Sequence, residues 1–321
     1  MDELVSRIVG NIQNVIVGKR QAIEQAVIAL ICGGHVLIED VPGVGKTSLV
    51  SALSKSISCS FSRIQFTPDV LPTDVTGFSM YNVKTAEFEY RPGAVMSQIV
   101  LADEINRTSP KTQSSLLEAM EEGQVTVDGY SHALPSPFMV LATQNPIEYL
   151  GTFPLPEAQL DRFFMRVRLG YPQTDEEVFM LSRFSAGTPL DTLKPVSSPE
   201  EIDAAKAAVR QTYVDSAVSR YIVSIVQSTR SHPDIALGIS PRGSIALYHA
   251  SQAWACCNGR DYCTPDDVRD MAVPVLSHRV KLRQDAKLKN ERAENLLNDI
   301  IASTYIPVSG KAPAARQARQ T

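Results

Sequence analysis

The sequence has 321 residues, 44% of them hydrophobic, and a formal net charge of −4 at pH 7. That length predicts two domains and a sizeable buried core. The acidic balance provides no global positive field, so we expect no nucleic-acid partner. The first residues lack the apolar block of a signal peptide, and no apolar run reaches membrane-spanning length. We therefore expect a cytoplasmic protein without direct membrane insertion.

The cysteines indicate reduced thiols rather than a metal site. Their number is odd, and no pair has C-x-x-C spacing. This usage is typical of proteins kept in a reducing compartment. The residues concerned are Cys32, Cys59, Cys256, Cys257 and Cys263.

Five short segments before Tyr171 predict an open α/β sheet. Four are apolar runs ended by polar residues, as in buried parallel strands, and the fifth alternates with arginines, as in a half-exposed edge strand. Helical segments lie between several of them, which favours a parallel sheet. The segments are His35–Ile38, Arg63–Phe66, Ile99–Ala102, Phe138–Ala142 and Phe164–Leu169.

Two stretches inside this region predict β-hairpins. Gln124–Leu134 contains Asp128-Gly129, a strong tight-turn signal, and Phe78–Tyr90 alternates aromatic residues on one face. A helix between them begins at Ser109-Pro110 and ends at Gly123. Periodicity alone favours ordinary surface hairpins.

After Tyr171 the sequence changes character. Residues 186–200 are rich in Pro, Ser, Thr and Gly, and the spacing beyond them is helical, with helix starts at Ser240-Pro241 and Thr264-Pro265. The predicted organisation is an α/β core (1–186), a linker (187–199), a helical domain (200–309) and a disordered tail (310–321).

The segment EDVPGVGKTS, from Glu39 to Ser48, nearly matches the phosphate-loop pattern G-x-x-x-x-G-K-[ST]. In such a loop main-chain amides and a helix N-terminus bind phosphates, and glycines permit close approach. Lys46 would neutralise the β- and γ-phosphates, and Thr47 would hold Mg²⁺. Asp40 stands where the pattern has its first glycine. A non-glycine residue can be accommodated there if its backbone φ and ψ are ones that such a residue adopts. We predict a nucleotide site formed by Pro42, Gly43, Val44, Gly45, Lys46, Thr47 and Ser48.

Two further strands end in polar residues that suit ATP hydrolysis. The segment QIVLADEINR ends a buried strand in Asp103-Glu104, at the edge where open α/β sheets bind ligands. Asp103 could orient Mg²⁺, and Glu104 could take a proton from the attacking water. In VLATQNP, Thr143 and Asn145 end another strand, and Asn145 could hold that water against Glu104.

Two arginines complete the set of candidate residues. Arg162 follows a short helix opened by Pro156 and Glu157; it is either a catalytic arginine or a cation that satisfies carbonyls at the helix end. Arg242 lies in the first turn of a helix, where the helix dipole disfavours a cation. A nearby anion would explain it, and a nucleotide phosphate is the candidate that we expect.

Together these motifs resemble the AAA+ ATPases, and more narrowly the MoxR family of the helix-2-insert clade, close to magnesium-chelatase ATPase subunits. The resemblance covers residues 8–308 and rests on DVPGVGKT, LADEINRTSPKTQSSLLEAMEEGQVTVDG, VLATQNPIEYLGTFPLPEAQLDRF and ISPRG. It implies an αβα core with a five-stranded parallel sheet, followed by a small all-helical lid. It also implies a homo-hexameric ring with sites between subunits, and ATP and Mg²⁺ as cofactors.

The resemblance also implies roles for individual residues. Arg162 matches the arginine finger, Asn145 matches sensor 1, and Arg242 matches sensor 2, acting in its own site or in an adjacent one. Val17-Gly18 matches the segment lining the adenine pocket. The insert at about 77–93 and the hairpin at about 124–134 then face the ring's pore or axial surface, which replaces the interpretation as surface hairpins.

The function implied is chaperone-like. The resemblance predicts ATP hydrolysis that remodels or matures a protein client, with metal-cofactor insertion as one form of that maturation and with partners that carry a von Willebrand factor A domain. The alternatives are a magnesium-chelatase-type motor subunit and a DNA-associated ring ATPase. A sigma-factor activator would need a GAFTGA-type loop where this chain has GFSMYNV. A non-catalytic switch would lack an acid or the finger, and the sequence contains both.

Overall fold

The computed structural model of the chain describes residues 1–145, 151–184 and 189–306. The predicted tail, 310–321, and the first two residues of the predicted linker lie outside these ranges, and the proposed domain limits stay predictions. In chain order the strands are β1 (Val36–Glu39), β2 (Phe61–Gln65), β3 (Gly77–Asn82), β4 (Glu87–Pro92), β5 (Ile99–Asp103), β6 (Gln124–Val127), β7 (Tyr130–Ala133), β8 (Met139–Gln144), β9 (Met165–Val167), β10 (Ile235–Leu237) and β11 (Lys281–Leu282).

The five predicted core strands form one parallel sheet in the order β2-β5-β8-β1-β9. Most side chains of β1, β5 and β8 are fully buried, as expected for strands covered on both faces. The strand β9 lies at the sheet edge, as its alternating arginines predicted. It ends at Val167, before the predicted Leu169, because the amides of Leu169 and Gly170 donate to the Asp40 carboxylate instead of a strand.

The helices begin and end largely where cap residues predict. Ser109 accepts a hydrogen bond from the Thr112 amide at one start, and Gly123 ends that helix with a φ of 63°. Ser240 and Thr264 cap two later helices in the same way. In chain order the helices are α1 (Asp2–Gln13), α2 (Arg20–Ile31), α3 (Lys46–Ser56), α4 (Pro72–Thr76), α5 (Pro110–Glu122), α6 (Glu157–Leu160), α7 (Thr174–Phe184), α8 (Pro199–Val209), α9 (Ser216–Ser231), α10 (Pro241–Cys257), α11 (Pro265–Leu276), α12 (Gln284–Leu288) and α13 (Ala293–Ser303).

Two apolar clusters bury the two faces of the sheet. The larger one joins α1, α2 and α3 to the helices that follow residue 200, so it extends from the α/β layer into the helical part. The smaller one packs α5 against the other face and includes Phe66 and Phe163. None of the described helices combines the length and the apolar character that a membrane span requires.

Both predicted hairpins are present. In β6–β7 the turn residues Asp128 and Gly129 have φ values of 50° and 84°, which suits an Asp-Gly turn. In β3–β4 the exposed apolar side chains include Val83 at the turn. The hairpins contact each other where the Tyr90 ring stacks on His132, with ring centroids 3.8 Å apart. They therefore form one continuous surface.

Candidate active site

The carboxyl edge of the sheet collects the predicted polar residues. Gln65 ends β2, Asp103 ends β5, Asn145 follows β8, and the phosphate loop follows β1. Because β8 lies between β5 and β1, Asn145 lies between the acidic pair and the loop. This is the edge at which open α/β sheets bind ligands.

The phosphate loop has the backbone geometry that its glycines predict. Gly43 and Gly45 have φ values of 84° and 92°, and α3 begins immediately afterwards at Lys46. Lys46 Nζ donates to the main-chain oxygen of Asp40 at 2.8 Å. Burial lowers the pKa of Lys46, while the nearby carboxylates of Asp103, Asp40 and Glu104 oppose that shift. The loop therefore places an ammonium group and oriented amides beside two acids.

Asp40 does more than tolerate the missing glycine. Its φ is not positive, so the slot imposes no backbone strain on a side chain. Its carboxylate Oδ2 accepts hydrogen bonds from the amides of Leu169 and Gly170, at 2.6 and 2.7 Å. The residue is 9% exposed. The departure from the loop pattern is thus a buried connection between the phosphate loop and the segment after β9.

Asp103 and Glu104 have defined partners. Asp103 accepts from the Thr143 hydroxyl at 2.7 Å and pairs with Arg63 at 2.6 Å. Glu104 has a left-handed backbone, with a φ of 57°, and its amide donates to the same Thr143 oxygen at 2.8 Å. Such a conformation is costly for a non-glycine residue and is concentrated at functional sites. Thr143 thus orients both acids.

The Glu104 carboxylate is shared by two side chains. Its Oε2 accepts from Gln65 Nε2 at 3.1 Å and pairs with Arg107 at 2.8 Å. These partners, with Arg63 and Thr143, were not assigned roles from the sequence. The signal was available in part, because a parallel pairing of β2 with β5 puts Gln65 opposite Asp103.

Arg162 and Arg242 lie at the opposite end of the strands, near the amino-terminal end of β1. With Gly33, Gly34 and His35, which precede β1, they line a cavity of about 270 Å³. The phosphate loop follows the opposite end of β1, a strand of four residues, or roughly 13 Å. The structure therefore does not bring these arginines together with Gly43–Thr47 of the same chain.

Both arginines bind Glu121, near the end of α5. Arg162 Nε is 2.9 Å from one carboxylate oxygen, and Arg242 pairs with the other. The anion beside Arg242 in this structure is thus the Glu121 side chain, and a phosphate at Arg242 stays a prediction. Arg162 likewise pairs with this carboxylate, and its role as a catalytic arginine stays a prediction.

A buried ion pair holds the segment that carries Arg162. Asp161 ends α6; one of its carboxylate oxygens accepts from Arg279 at 2.9 Å and the other from the Ser240 hydroxyl at 2.7 Å. Arg279 also donates to the main-chain oxygens of Phe163 and Phe164. Burial lowers the pKa of Arg279 to about 10, and Asp161 opposes the shift. Since Ser240 caps the helix of Arg242, Asp161 fixes both arginine-bearing segments to each other.

The predicted adenine-lining segment borders a separate cavity. Gly18 has a φ of 73°, and with Lys19, Leu169 and Arg269 it lines a space of about 480 Å³. Val17, just before it, is half-buried. The volume is within the range of small-molecule pockets.

Comparisons with known proteins agree with this arrangement. Residues 35–165 match the model of the ATPase family associated with various cellular activities (AAA), and residues 227–300 match the AAA lid domain. The uncharacterised protein YeaC of Bacillus subtilis is 54% identical over 96% of this chain and 97% of its own length. Chaperone MoxR1 of Mycobacterium tuberculosis is 37% identical over 96% of this chain and 84% of its own.

A solved structure supports the same conclusion. A protein from Cytophaga hutchinsonii that is described as an ATPase has a TM-score of 0.89 and 35% identity, with 96% of each chain covered. The fold is therefore that of an AAA+ core followed by a helical lid, and the chain is an ATP hydrolase that binds nucleotide. On the full-length similarity to MoxR1 and the two matching domains, the chain belongs to the MoxR family of AAA+ ATPases.

Proposed function

We propose that this ATPase works as a homo-oligomeric ring, of six subunits, whose active sites form between neighbours. One observation carries the proposal: Arg162 and Arg242 lie together at the sheet edge opposite their own phosphate loop. A cation there cannot stabilise charge on a nucleotide bound by Gly43–Thr47 of the same chain. A neighbouring chain can supply that nucleotide if the two sheet edges face each other.

Within one chain, the phosphate loop would supply the ground-state contacts. The main-chain amides of Gly43–Ser48 and the ammonium of Lys46 would bind the triphosphate, while Pro42, which has no amide hydrogen, would shape the loop. Thr47 and Asp103 offer a hydroxyl and a buried carboxylate, the oxygen donors that suit Mg²⁺. When bound, Mg²⁺ would neutralise negative charge on the phosphate oxygens.

Glu104 and Asn145 would orient and deprotonate the attacking water. The proposed base is Glu104; Gln65 and Arg107 both bind its Oε2, so Oε1 would accept the proton. Asn145 is buried at the end of the adjacent strand and would orient the same water. Glu104 has its left-handed backbone directly after the end of β5, at the same edge of the sheet as the phosphate loop.

Arg162 and Arg242 would both act in trans. They bind one carboxylate, so they belong to one surface and would reach one neighbouring phosphate. The finger role of Arg162 and the sensor role of Arg242 then operate as a pair. We therefore propose that Arg242 acts in the adjacent site rather than in its own.

The work done by the ring would be remodelling of a protein client. The connected hairpins β3–β4 and β6–β7 expose apolar side chains, including Phe88 at 74% and Val83 at 84% exposed. A relative is named a chaperone. We propose that this surface engages a protein client. More specifically, we propose that the partner carries a von Willebrand factor A domain and that the remodelling matures a metal cofactor.

Affinity capture tests the client. The Glu104→Gln protein, loaded with MgATP, should retain a client that the same protein without nucleotide releases. The Lys46→Ala protein is the matched control, because it keeps the hairpins and loses the phosphate contact. Equal recovery of the same proteins from Glu104→Gln and Lys46→Ala would overturn nucleotide-dependent client binding.

A further inference from the structure

Asp40 connects two parts of the nucleotide site, the phosphate loop that follows β1 and the segment that follows β9. Its carboxylate accepts from the amides of Leu169 and Gly170, and Oδ1 also accepts from the following amide, of Val41, at 3.1 Å. Its main-chain oxygen accepts from Lys46 Nζ. A glycine at this position would keep the main-chain contact and lose the carboxylate. The side chain therefore acts on the segment after β9 and leaves the lysine contact to the backbone.

That segment forms one wall of the cavity at Gly18. Leu169 lines the cavity. Two residues later the main-chain oxygen of Tyr171 accepts from Lys19 Nζ at 2.7 Å, so the segment is also tied to the turn that contains Gly18. The side chain of Glu176 packs against Gly18 so closely that a Cβ there would meet it. The phosphate loop is not among the residues that line this cavity. Asp40 bonds the loop to the wall, next to the pairing of β1 with β9 and of Glu39 with Arg168.

The bonds from Asp40 are suited to fixing a position. The acceptor is an ionised carboxylate, the donors are main-chain amides, and the residue is 9% exposed. Charge-assisted hydrogen bonds of this kind are about twice as strong as neutral ones, and solvent competes little when they are buried. Without them, the main-chain amides of Leu169 and Gly170 would need other partners.

We propose that Asp40 is a positioning residue that holds the base-side wall, Leu169–Gly170, in register with the phosphate loop, so that base and triphosphate are recognised together. The inference rests on the proposed ATP site. It predicts that the pattern-restoring substitution, Asp40→Gly, weakens binding of a nucleotide while it spares binding of phosphates alone. A merely structural role in the loop would affect both ligands equally.

Calorimetric titration with two probes tests this. MgATP carries base and phosphates, and magnesium tripolyphosphate carries the phosphates alone. For Asp40→Gly we expect about a tenfold loss of affinity for MgATP, the effect of a lost charge-assisted contact, and less than about a threefold change for tripolyphosphate. Asp40→Asn keeps an amide oxygen for the two amides and should fall between. Asp175→Asn, an exposed acid at the start of α7, controls for the loss of charge.

The outcomes separate the inference from the proposed function. If the wild-type protein does not bind MgATP, the proposed function fails. If it binds and the ratio of the two affinities is unchanged in both Asp40 variants, the inference alone is overturned. Thermal unfolding of each variant shows whether it folds, and the conservative Asp40→Asn protein keeps the comparison available if the glycine variant does not.

Discussion

Arg162 and Arg242 bind opposite oxygens of one carboxylate, that of Glu121. The two arginines come from the end of α6 and the start of α10, in the core and in the lid. The single carboxylate of Glu121 thus holds two guanidinium groups next to each other. In the proposed ring, a phosphate held by a neighbouring subunit would carry more negative charge than a carboxylate, so it would replace Glu121 without separating the pair.

The first prediction is that both arginines act in trans. Arg162→Ala and Arg242→Ala should each bind ATP almost normally, because the phosphate loop is intact, and the loss of a finger costs roughly 10³–10⁵-fold in rate. Each mixed with Lys46→Ala should regain part of the activity, since mixed rings pair a sound pocket with sound arginines. Steady-state ATPase rates across mixing ratios measure this, with subunit exchange shown by labelling.

One further mixture discriminates the two arginines. Arg162→Ala mixed with Arg242→Ala should remain inactive, because each donor surface lacks one member of the pair. If Arg242 acted on its own chain's nucleotide, that mixture would contain complete sites and would regain activity. Recovery there contradicts the trans assignment of Arg242.

The second prediction concerns Glu104. Glu104→Gln should bind MgATP within a few-fold of wild type and hydrolyse it about 10²–10⁴-fold more slowly, because the amide cannot accept the proton. Single-turnover rates and equilibrium binding measure the two effects separately. Glu118→Gln, an exposed acid on α5, is the matched control. Turnover by Glu104→Gln within a few-fold of wild type would show that another group is the base.

Much of the fold could be predicted because its signals are local. A few consecutive residues are enough to predict a buried strand at β1, β5 and β8. The same holds for the helix starts at Ser109 and Ser240. The parallel sheet and the helical lid follow from the order of such elements. The edge position of β9 follows from its alternating arginines.

The contacts of the site could not be predicted in the same way, because they join distant parts of the chain. Glu121 lies on a helix with several acids, and nothing in its sequence neighbourhood selects it over Glu118 as the partner of two arginines. From the sequence, Asp40 is only an acceptable departure from the phosphate-loop pattern. In the structure its carboxylate binds the main-chain amides of two residues that follow β9. Main-chain donors carry no residue-type signal.

The third prediction concerns the exposed hairpin surface. Replacing Val83 and Phe88 together by serine should leave basal ATPase activity and thermal stability unchanged, because both side chains are mostly exposed. Client capture by the Glu104→Gln protein should then be lost. Leu288→Ser removes an equally exposed apolar side chain, on α12, and is the control. Full capture by the hairpin variant would place the client elsewhere.

The fourth prediction concerns the bond between Asp161 and Arg279. Asp161→Ala leaves Arg279, which is almost fully buried, without its carboxylate, so the free energy of unfolding should fall by about 3–5 kcal/mol. The exposed pair of Glu157 and Lys281 is the control, and Glu157→Ala should cost less than about 1 kcal/mol. Urea titrations measure both. Equal, small effects would show that the buried pair does not hold the finger segment.

The last prediction is a pH dependence of stability that comes from His35. Its Nδ1 accepts from the Val140 amide at 3.0 Å and its Nε2 donates to the Met120 carbonyl at 3.1 Å, so the buried ring is neutral. Burial lowers its pKa from 6.5 to about 4, and Lys206 adds to the effect while the bond to Met120 opposes it.

Below pH 6.5 His35 takes up a proton in the unfolded chain, whereas in the folded chain its buried ring stays neutral down to about pH 4. The free energy of unfolding should therefore decrease as pH falls from 6.5 to 4, by roughly 3 kcal/mol from this one group. His35→Asn keeps an oxygen that can accept from the Val140 amide and cannot titrate. It should be less stable than wild type at pH 7, and the gap should narrow towards pH 4. Urea unfolding at half-unit pH steps measures both curves, and parallel curves would contradict a neutral buried His35.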